Sequence, residues 1–338
     1  MDTIVYLTEA QTRQACRHLD AVAVVREVLV KQAKGEVVLP AEAYLGWTTP
    51  SGAGARSINM PAMVGGRHPV AGTKVINASL DNVERGLPRA SGLTMLFDVH
   101  TGRIACVMAA AHVSALRTAA VTTAAAEELA RPDASAAAVI GTGAIAERHV
   151  RLLAERLTGL AELAVYDQFP NRATEFAARL GGLGPRVRVA GTAEEAVRGA
   201  DLVVPCTTTT TPYIRHDWLR PGALVVNVSL DDVGPDVVER ADLLVVDDWN
   251  LVRDDRHRLL GRMHRDGRLR GPDQLDEPGV PRVHAELGEV LAGTRPGRTD
   301  AEQIILVNPF GMAVEDVALA AEVHRVATEL GLGSRLER

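Results

Sequence analysis

Residues 136–150 read AAAVIGTGAIAERHV, a run of five apolar residues, then Gly141-Thr142-Gly143-Ala144-Ile145-Ala146, then an amphipathic stretch. The spacing predicts a strand, a tight turn and a helix in direct succession. A dinucleotide's pyrophosphate needs that order of parts. Gly141 permits the turn, Gly143 lets the phosphates approach the backbone, and small Ala146 lets helix and strand pack closely. The next apolar run, LAVYD (163–167), ends in Asp167. A carboxylate at that strand end accepts both ribose hydroxyls and repels a 2′-phosphate, so the pattern points to NAD rather than NADP. Arg172 is the nearby feature that would favour the phosphate.

Outward from this stretch, the chain from 134 onward alternates apolar strands with amphipathic helices. SAAAVI (135–140), LAVYD, RVRVA, DLVVPCT, ALVVNVS, LLVVDD and IILVN (304–308) read as strands, most followed by a helical segment. Repeated βα units of this kind imply a parallel sheet covered on both faces. Residues 253–283 lose the pattern and read as a short helix plus a charged surface connection. Before 134 the period differs. Thr8 and Gln11 form a possible capping box, and Asp20 can cap AVAVVREVLVKQAKG, which Gly35 ends. SINMPAMV, GTKVINAS and GLTMLFD follow as strands of an irregular sheet, and AHVSALRTAAVTTAAAEELA (about 111–130) as a helix of small side chains. GMAVEDVALAAEVHRVATELG reads as a closing helix that returns to the first segment. The fold class expected is α/β: a Rossmann-type doubly wound parallel sheet (119–305) inserted into a smaller α+β domain made of 1–118 and 306–338.

Composition excludes several functions. The 338 residues are 46% hydrophobic and carry a formal charge of −6, which provides ample core and argues against nucleic acid as a partner. Cysteines stand only at 16, 106 and 206, with no close pair for a disulfide framework or a zinc site. The ten histidines show neither HxxxH nor HExxH spacing, so no metal ligands are assigned. The start, MDTIVYLTEAQ, has no signal-peptide pattern and no long apolar run occurs, so a cytoplasmic location without membrane insertion is expected.

Five charged residues invite a chemical reading. Lys74 lies in the otherwise uncharged strand VAGTKVINAS and Arg117 in the alanine-rich helix. Cations in apolar elements need an anion, so the two form either a clamp for a substrate carboxylate or structural ion pairs. Arg56 and Arg89 are looser candidates for the same substrate contact. Asp232, in VSLDD at the end of a later strand, is either a proton acceptor facing the redox ring or a helix cap or solvated loop acid. Thr142, Ala144 and Ile145 of the turn, with Cys206, Thr207, Thr208 and Ser229 at later strand ends, complete the expected cofactor contacts. Cys206 reads there as a small filler rather than a nucleophile. His112 reads as a core histidine. Arg253 to Arg270, interrupted by acids, reads as a solvated face.

Together, GTKVINASLDNVERGLPRASG, ALRTAA, ARPDASAAAVIGTGAIAERH, LRPGALVVNVSLDD, HAELGEVLAGTRPGRTD and NPFGMAVEDVALA resemble the ornithine cyclodeaminase and mu-crystallin family over nearly the whole chain. NVSLDD, VVDDWN and NPFGMAVED are most similar to its branch of N-(2-amino-2-carboxyethyl)-L-glutamate dehydrogenases, which make 2,3-diaminopropionate for siderophores and peptide antibiotics. The resemblance implies a homodimer whose outer domain dimerises and holds an amino-acid substrate, with Lys74 and Arg117 as carboxylate ligands and Asp232 as the catalytic acid–base residue. It also implies NAD on Gly141, Gly143, Ala146 and Asp167. The alternatives in the same family are an ornithine or lysine cyclodeaminase, an imine reductase or amino-acid dehydrogenase, and a non-catalytic binding protein. Cyclodeaminases carry a glutamate before the MP dipeptide where this chain has Ile58-Asn59. Glu42, Ala109 and His112 are further departures around the substrate.

Overall fold

The computed structural model describes residues 3–337. In chain order the first elements are β1 (Thr3–Leu7), α1 (Glu9–Cys16), α2 (Ala21–Ala33), β2 (Val37–Val38), β3 (Ala43–Thr48), β4 (Gly54–Val64), β5 (Val70–Ser79), β6 (Ala90–Phe97), β7 (Ile104–Ala109) and α3 (Ala110–Leu129). Then follow β8 (Ala136–Ile140), α4 (Ala144–Arg156), β9 (Glu162–Tyr166), α5 (Pro170–Arg179), β10 (Arg186–Val189), α6 (Ala193–Val197), β11 (Leu202–Pro205), β12 (Leu224–Val226), α7 (Pro235–Arg240) and β13 (Leu243–Val246). The last are α8 (Trp249–Asp254), α9 (Leu259–Arg265), β14 (Ala285–Glu286), α10 (Leu287–Leu291), β15 (Ile305–Asn308), α11 (Ala313–Glu329) and β16 (Ser334–Glu337).

Two compact units result, one made of the chain up to Arg117 and again from Met312, the other of Thr118–Gly311. The boundary expected at 305/306 is corrected. It would cut β15, whose four buried residues include three that pair with both β12 and β13. A strand interior to a sheet cannot leave it without breaking two ladders, so the chain departs only after Gly311. Asp247 holds that exit by accepting hydrogen bonds from Phe310 N (2.8 Å) and Gly311 N (2.6 Å). The expected outer limits, residues 1 and 338, lie outside the described residues, as do Met1 and Asp2 of the starting segment.

The second unit is a parallel sheet in the order β10-β9-β8-β11-β12-β15-β13-β14. β11, β12 and β15 are buried at every residue, which is why they read as unbroken apolar runs rather than alternating ones. The chain winds from β8 outward through β9 and β10, then crosses to β11 on the other side of β8. Beside β8 the winding therefore reverses, and ligands of open α/β sheets bind at the strand carboxyl ends there.

In the first unit, the sheet order is β16-β1-β7-β6-β5-β4-β2, with β3 paired to β4. Helix α1 starts at the expected Thr8/Gln11 capping box and α2 at the Asp20 cap. Helix α11 returns to this unit and packs on β4, β5, β6, α1 and α2. Gly72 is required by the sheet itself, since a Cβ there would lie 2.5 Å from Met95 O on β6, while Val317 Cγ2 of α11 would stand at an ordinary contact distance of 3.4 Å. No helix among the described residues is long and apolar enough to cross a membrane.

Candidate functional site

The turn after β8 has the conformation its glycines imply. Gly141 has φ +90°, and a Cβ there would stand 2.9 Å from the Cys206 carbonyl oxygen. Gly143 caps α4, and nothing lies within 4 Å of where its Cβ would be. Ala146 is fully buried against the sheet, while Gly143, Ala144 and Ile145 are exposed. The result is an open cradle at the positive end of a helix whose first N–H groups have no intrahelical partner. A dinucleotide pyrophosphate fits it. Asp167 accepts from Thr142 N (3.1 Å), Thr142 Oγ1 (2.7 Å) and Phe169 N (3.0 Å), which fixes the carboxylate beside the turn. Arg172 is exposed, its guanidinium 4.6 Å from the Phe169 ring centroid.

Asp232 is fully buried near the end of β12. It accepts three hydroxyl hydrogen bonds, from Thr207 (2.7 Å), Tyr213 (2.8 Å) and Ser229. The cap and solvated-acid readings are thereby excluded, since α7 is capped by Gly234 instead. Burial raises the Asp232 carboxyl above the usual carboxylate range, while the Ser229, Thr207 and Tyr213 hydroxyls pull it down. The same burial, with the Asp232 charge, raises the Tyr213 phenol, so Tyr213 stays a donor. Thr207 connects this carboxylate to the turn, its Cγ2 lying 3.4 Å from the Gly141 Cβ position. The Thr207 and Ser229 hydroxyls, expected on a cofactor, are turned to Asp232, and Thr208 is exposed. Asp231, the neighbouring acid, is used up structurally by Leu259 N and Arg262.

Behind the turn, His149 is buried and neutral. Its Nδ1–H donates to Ile145 O (2.8 Å) and its Nε2 accepts from the Thr122 hydroxyl (2.9 Å). Burial lowers its pKa from 6.5 to about 4. A depressed histidine contributes stability that is present above the unfolded pKa and lost as pH falls toward the folded one. Acidification from pH 6.5 to 4 is therefore expected to remove about 3 kcal/mol through this residue. Melting temperatures measured across that range should show a shallower acid slope for His149→Gln; an unchanged slope would contradict the assignment. Burial also raises the Cys206 thiol, consistent with a filler role.

In the first unit, Lys74 and Arg117 meet two acids from the first turn of α11. Lys74 Nζ donates to Asp316 Oδ2 at 2.6 Å and to Ser114 Oγ at 3.2 Å. Arg117 Nη1 donates to Glu315 Oε2 at 2.8 Å, and its Nε lies 3.3 Å from Asp316 Oδ2. All four charged side chains are buried. The ion-pair reading is therefore realised. It leaves the third ammonium hydrogen of Lys74 unassigned and Asp316 Oδ1 without a hydrogen-bond partner. Burial, reinforced by Arg117, lowers the Lys74 pKa against the opposing pull of Asp316. Glu315 and Asp316 lie within NPFGMAVED, where nothing in the sequence marks their role, and Tyr213 and Ser114 carry no sequence signal either. Ile58 shares the Lys74 face of the sheet, whereas Asn59 faces away and accepts from Thr73. Arg56 is exposed on β4 and Arg89 half-buried before β6. His112 is buried in α3.

An open parallel α/β sheet with this turn and carboxylate defines a dinucleotide-binding protein. Residues 2–330 match the model of the ornithine cyclodeaminase/mu-crystallin family, and the chain belongs to that family. It is 34% identical to the N-((2S)-2-amino-2-carboxyethyl)-L-glutamate dehydrogenase of Staphylococcus aureus (strain NCTC 8325 / PS 47), over 98% of each chain. A crystal structure of CmnK is 41% identical with a TM-score of 0.91, covering 100% of this chain and 99% of that one. An archaeal alanine dehydrogenase dimer with bound NAD is 26% identical with a TM-score of 0.85, covering 99% of both.

Proposed function

We propose that the protein oxidises the C–N bond of N-(2-amino-2-carboxyethyl)-L-glutamate to give 2-oxoglutarate and 2,3-diaminopropionate, a step of siderophore or peptide-antibiotic biosynthesis. At the level of class it is an NAD-dependent oxidoreductase acting on the C–N bond of amino acids. The observation that carries the finer reading is Asp232: a buried carboxylate with three hydroxyl donors, one side chain away from the dinucleotide turn.

The residues divide the work as follows. The exposed backbone of Gly143, Ala144 and Ile145 holds the pyrophosphate, and Asp167 the ribose. NAD, when bound, supplies the hydride acceptor. Asp232 takes the N–H proton of the secondary ammonium, which frees the lone pair that expels hydride from the glutamate α-carbon. The Ser229, Thr207 and Tyr213 hydroxyls favour the anionic form of Asp232 against the opposing pull of burial. Water then adds to the imine carbon, and the C–N bond breaks with the proton returned to the departing amine. Lys74 and Arg117 orient the substrate by a carboxylate, sharing their charge with Asp316 and Glu315. Ile58, on the Lys74 face, offers no acid to assist ammonia loss, which disfavours cyclodeamination.

Incubation with NAD and this substrate is expected to yield NADH and 2-oxoglutarate in equal amounts. Absence of both removes the substrate, and ammonia formed with catalytic NAD indicates a cyclodeaminase. We further infer a cytoplasmic homodimer through the first unit. Its motive is the exposure of Leu45 (63%) and Trp47 (46%) on β3, on the face opposite Arg56. Sedimentation at the mass of a single chain would refute it.

A further inference from the structure

The sheet face that carries Lys74 does not end at Lys74. Met60, Lys74 and Thr94 form one row across β4, β5 and β6, and the row four residues further along β5 reads Gly46, Arg56, Ala78 and Ala90 across β3 to β6. Strand side chains alternate, so Arg56 and Lys74 stand on one face, their rows about 13 Å apart. Arg56 stands between Ala78, whose single side-chain carbon leaves its guanidinium room on that side, and Gly46, over which the Tyr44 ring lies, 3.0 Å from where a Cβ would be. Arg89 adjoins Ala90 at the same end and is tied into the sheet by its carbonyl, which accepts from Ser79 N at 3.1 Å.

Helix α11 covers the other end of this face. Its Asp316 meets Lys74, and its Val317 packs at Gly72. Toward Arg56 the covering thins, with Ile58, Ile76 and Ala78 half-buried and Arg56 exposed. Neither arginine has an ion pair to an acidic side chain among the described residues. The nearby Asp81 is bound to Ser51, Ser79 and Arg85 instead. Partial burial and the charge of Arg56 both depress Arg89, so the two guanidiniums repel each other. Two cations held together without a counter-ion, one of them half-buried, are unfavourable until an anion joins them.

We propose that Arg56 and Arg89 form a second anion site that recognises a carboxylate distant from the one held at Lys74 and Arg117, and so select polycarboxylate over monocarboxylate amino acids. This rests on the oxidation proposed above and adds the feature that sets substrate class. An amino acid with a short apolar side chain reaches only the Lys74 end. A substrate with a carboxylate several bonds further along spans both.

The test is calorimetric titration of the full-length protein, with NADH present, using 2-oxoglutarate and pyruvate as dicarboxylate and monocarboxylate probes. The wild type is expected to bind 2-oxoglutarate at least about 30-fold more tightly than pyruvate, the scale of two charge-assisted contacts. In Arg56→Gln/Arg89→Gln the two should come within about threefold. A wild type without that preference, or a preference that survives in the double variant, overturns the proposal. Arg89→Lys, which keeps the charge, is expected to retain most of the preference and guards against a merely misfolded double variant. Failure of the proposed oxidation is distinguishable. It would appear as no turnover of the amino-carboxyethyl-glutamate while the arginine-dependent preference persists.

Discussion

Asp232→Asn is expected to lower kcat/KM by about 10³, within the range for loss of a positioned acid–base group. Asparagine keeps the shape and accepts from Thr207, Tyr213 or Ser229, but it cannot take a proton. Cofactor affinity should change little, because the turn residues are untouched. The same carboxylate makes a prediction about stability. Its folded pKa is raised by burial, so its contribution is full below the ordinary aspartate pKa and is lost as pH rises through the raised value. At neutral pH the buried charge therefore costs stability. Asp232→Asn should melt no lower than the wild type at pH 7, with the difference between them closing on acidification. An activity acid limb above the ordinary carboxylate range should vanish in the variant. Unchanged turnover would remove Asp232 from the chemistry.

Lys74→Met should injure both fold and function. It leaves Asp316, fully buried, with Arg117 Nε at 3.3 Å as its remaining cation, so a loss of about 3 kcal/mol is expected. Lys74→Met/Asp316→Leu removes both members of the pair, and replacing a buried pair by apolar side chains is often neutral or stabilising. The double variant should therefore recover most of the melting temperature. Its kcat/KM should nonetheless stay at least about 10²-fold down, because the substrate carboxylate has lost a charge-assisted ligand. Recovery of activity along with stability would reduce Lys74 to a structural role.

The legible parts of the molecule are those whose signals are local. The turn at Gly141, the Asp167 strand end and the buried valine runs of β11, β12 and β15 follow from residues within one element. So do the Thr8 and Asp20 caps. Two of the strands missed depend on a partner strand rather than on a pattern of their own. β16, Ser334–Glu337, has no apolar alternation and exists because it pairs with β1 at the opposite end of the chain. β3 is exposed at every residue and depends on β4. The site follows the same rule. Lys74 and Arg117 stood out as cations in apolar elements, yet their acids lie about 200 residues or more away, at 315 and 316. Tyr213 was hidden because a tyrosine after a threonine run carries no pattern; only the fold brings its hydroxyl to Asp232.

The most direct measurement is a crystal structure of the protein with NADH and 2-oxoglutarate. One carboxylate of the keto acid is expected within about 3.2 Å of both Lys74 and Arg117, and its C2 oxygen in reach of Asp232 directly or through one water. A keto acid held away from these cations, or seated on them with Asp232 out of reach of C2, would contradict the proposed oxidation.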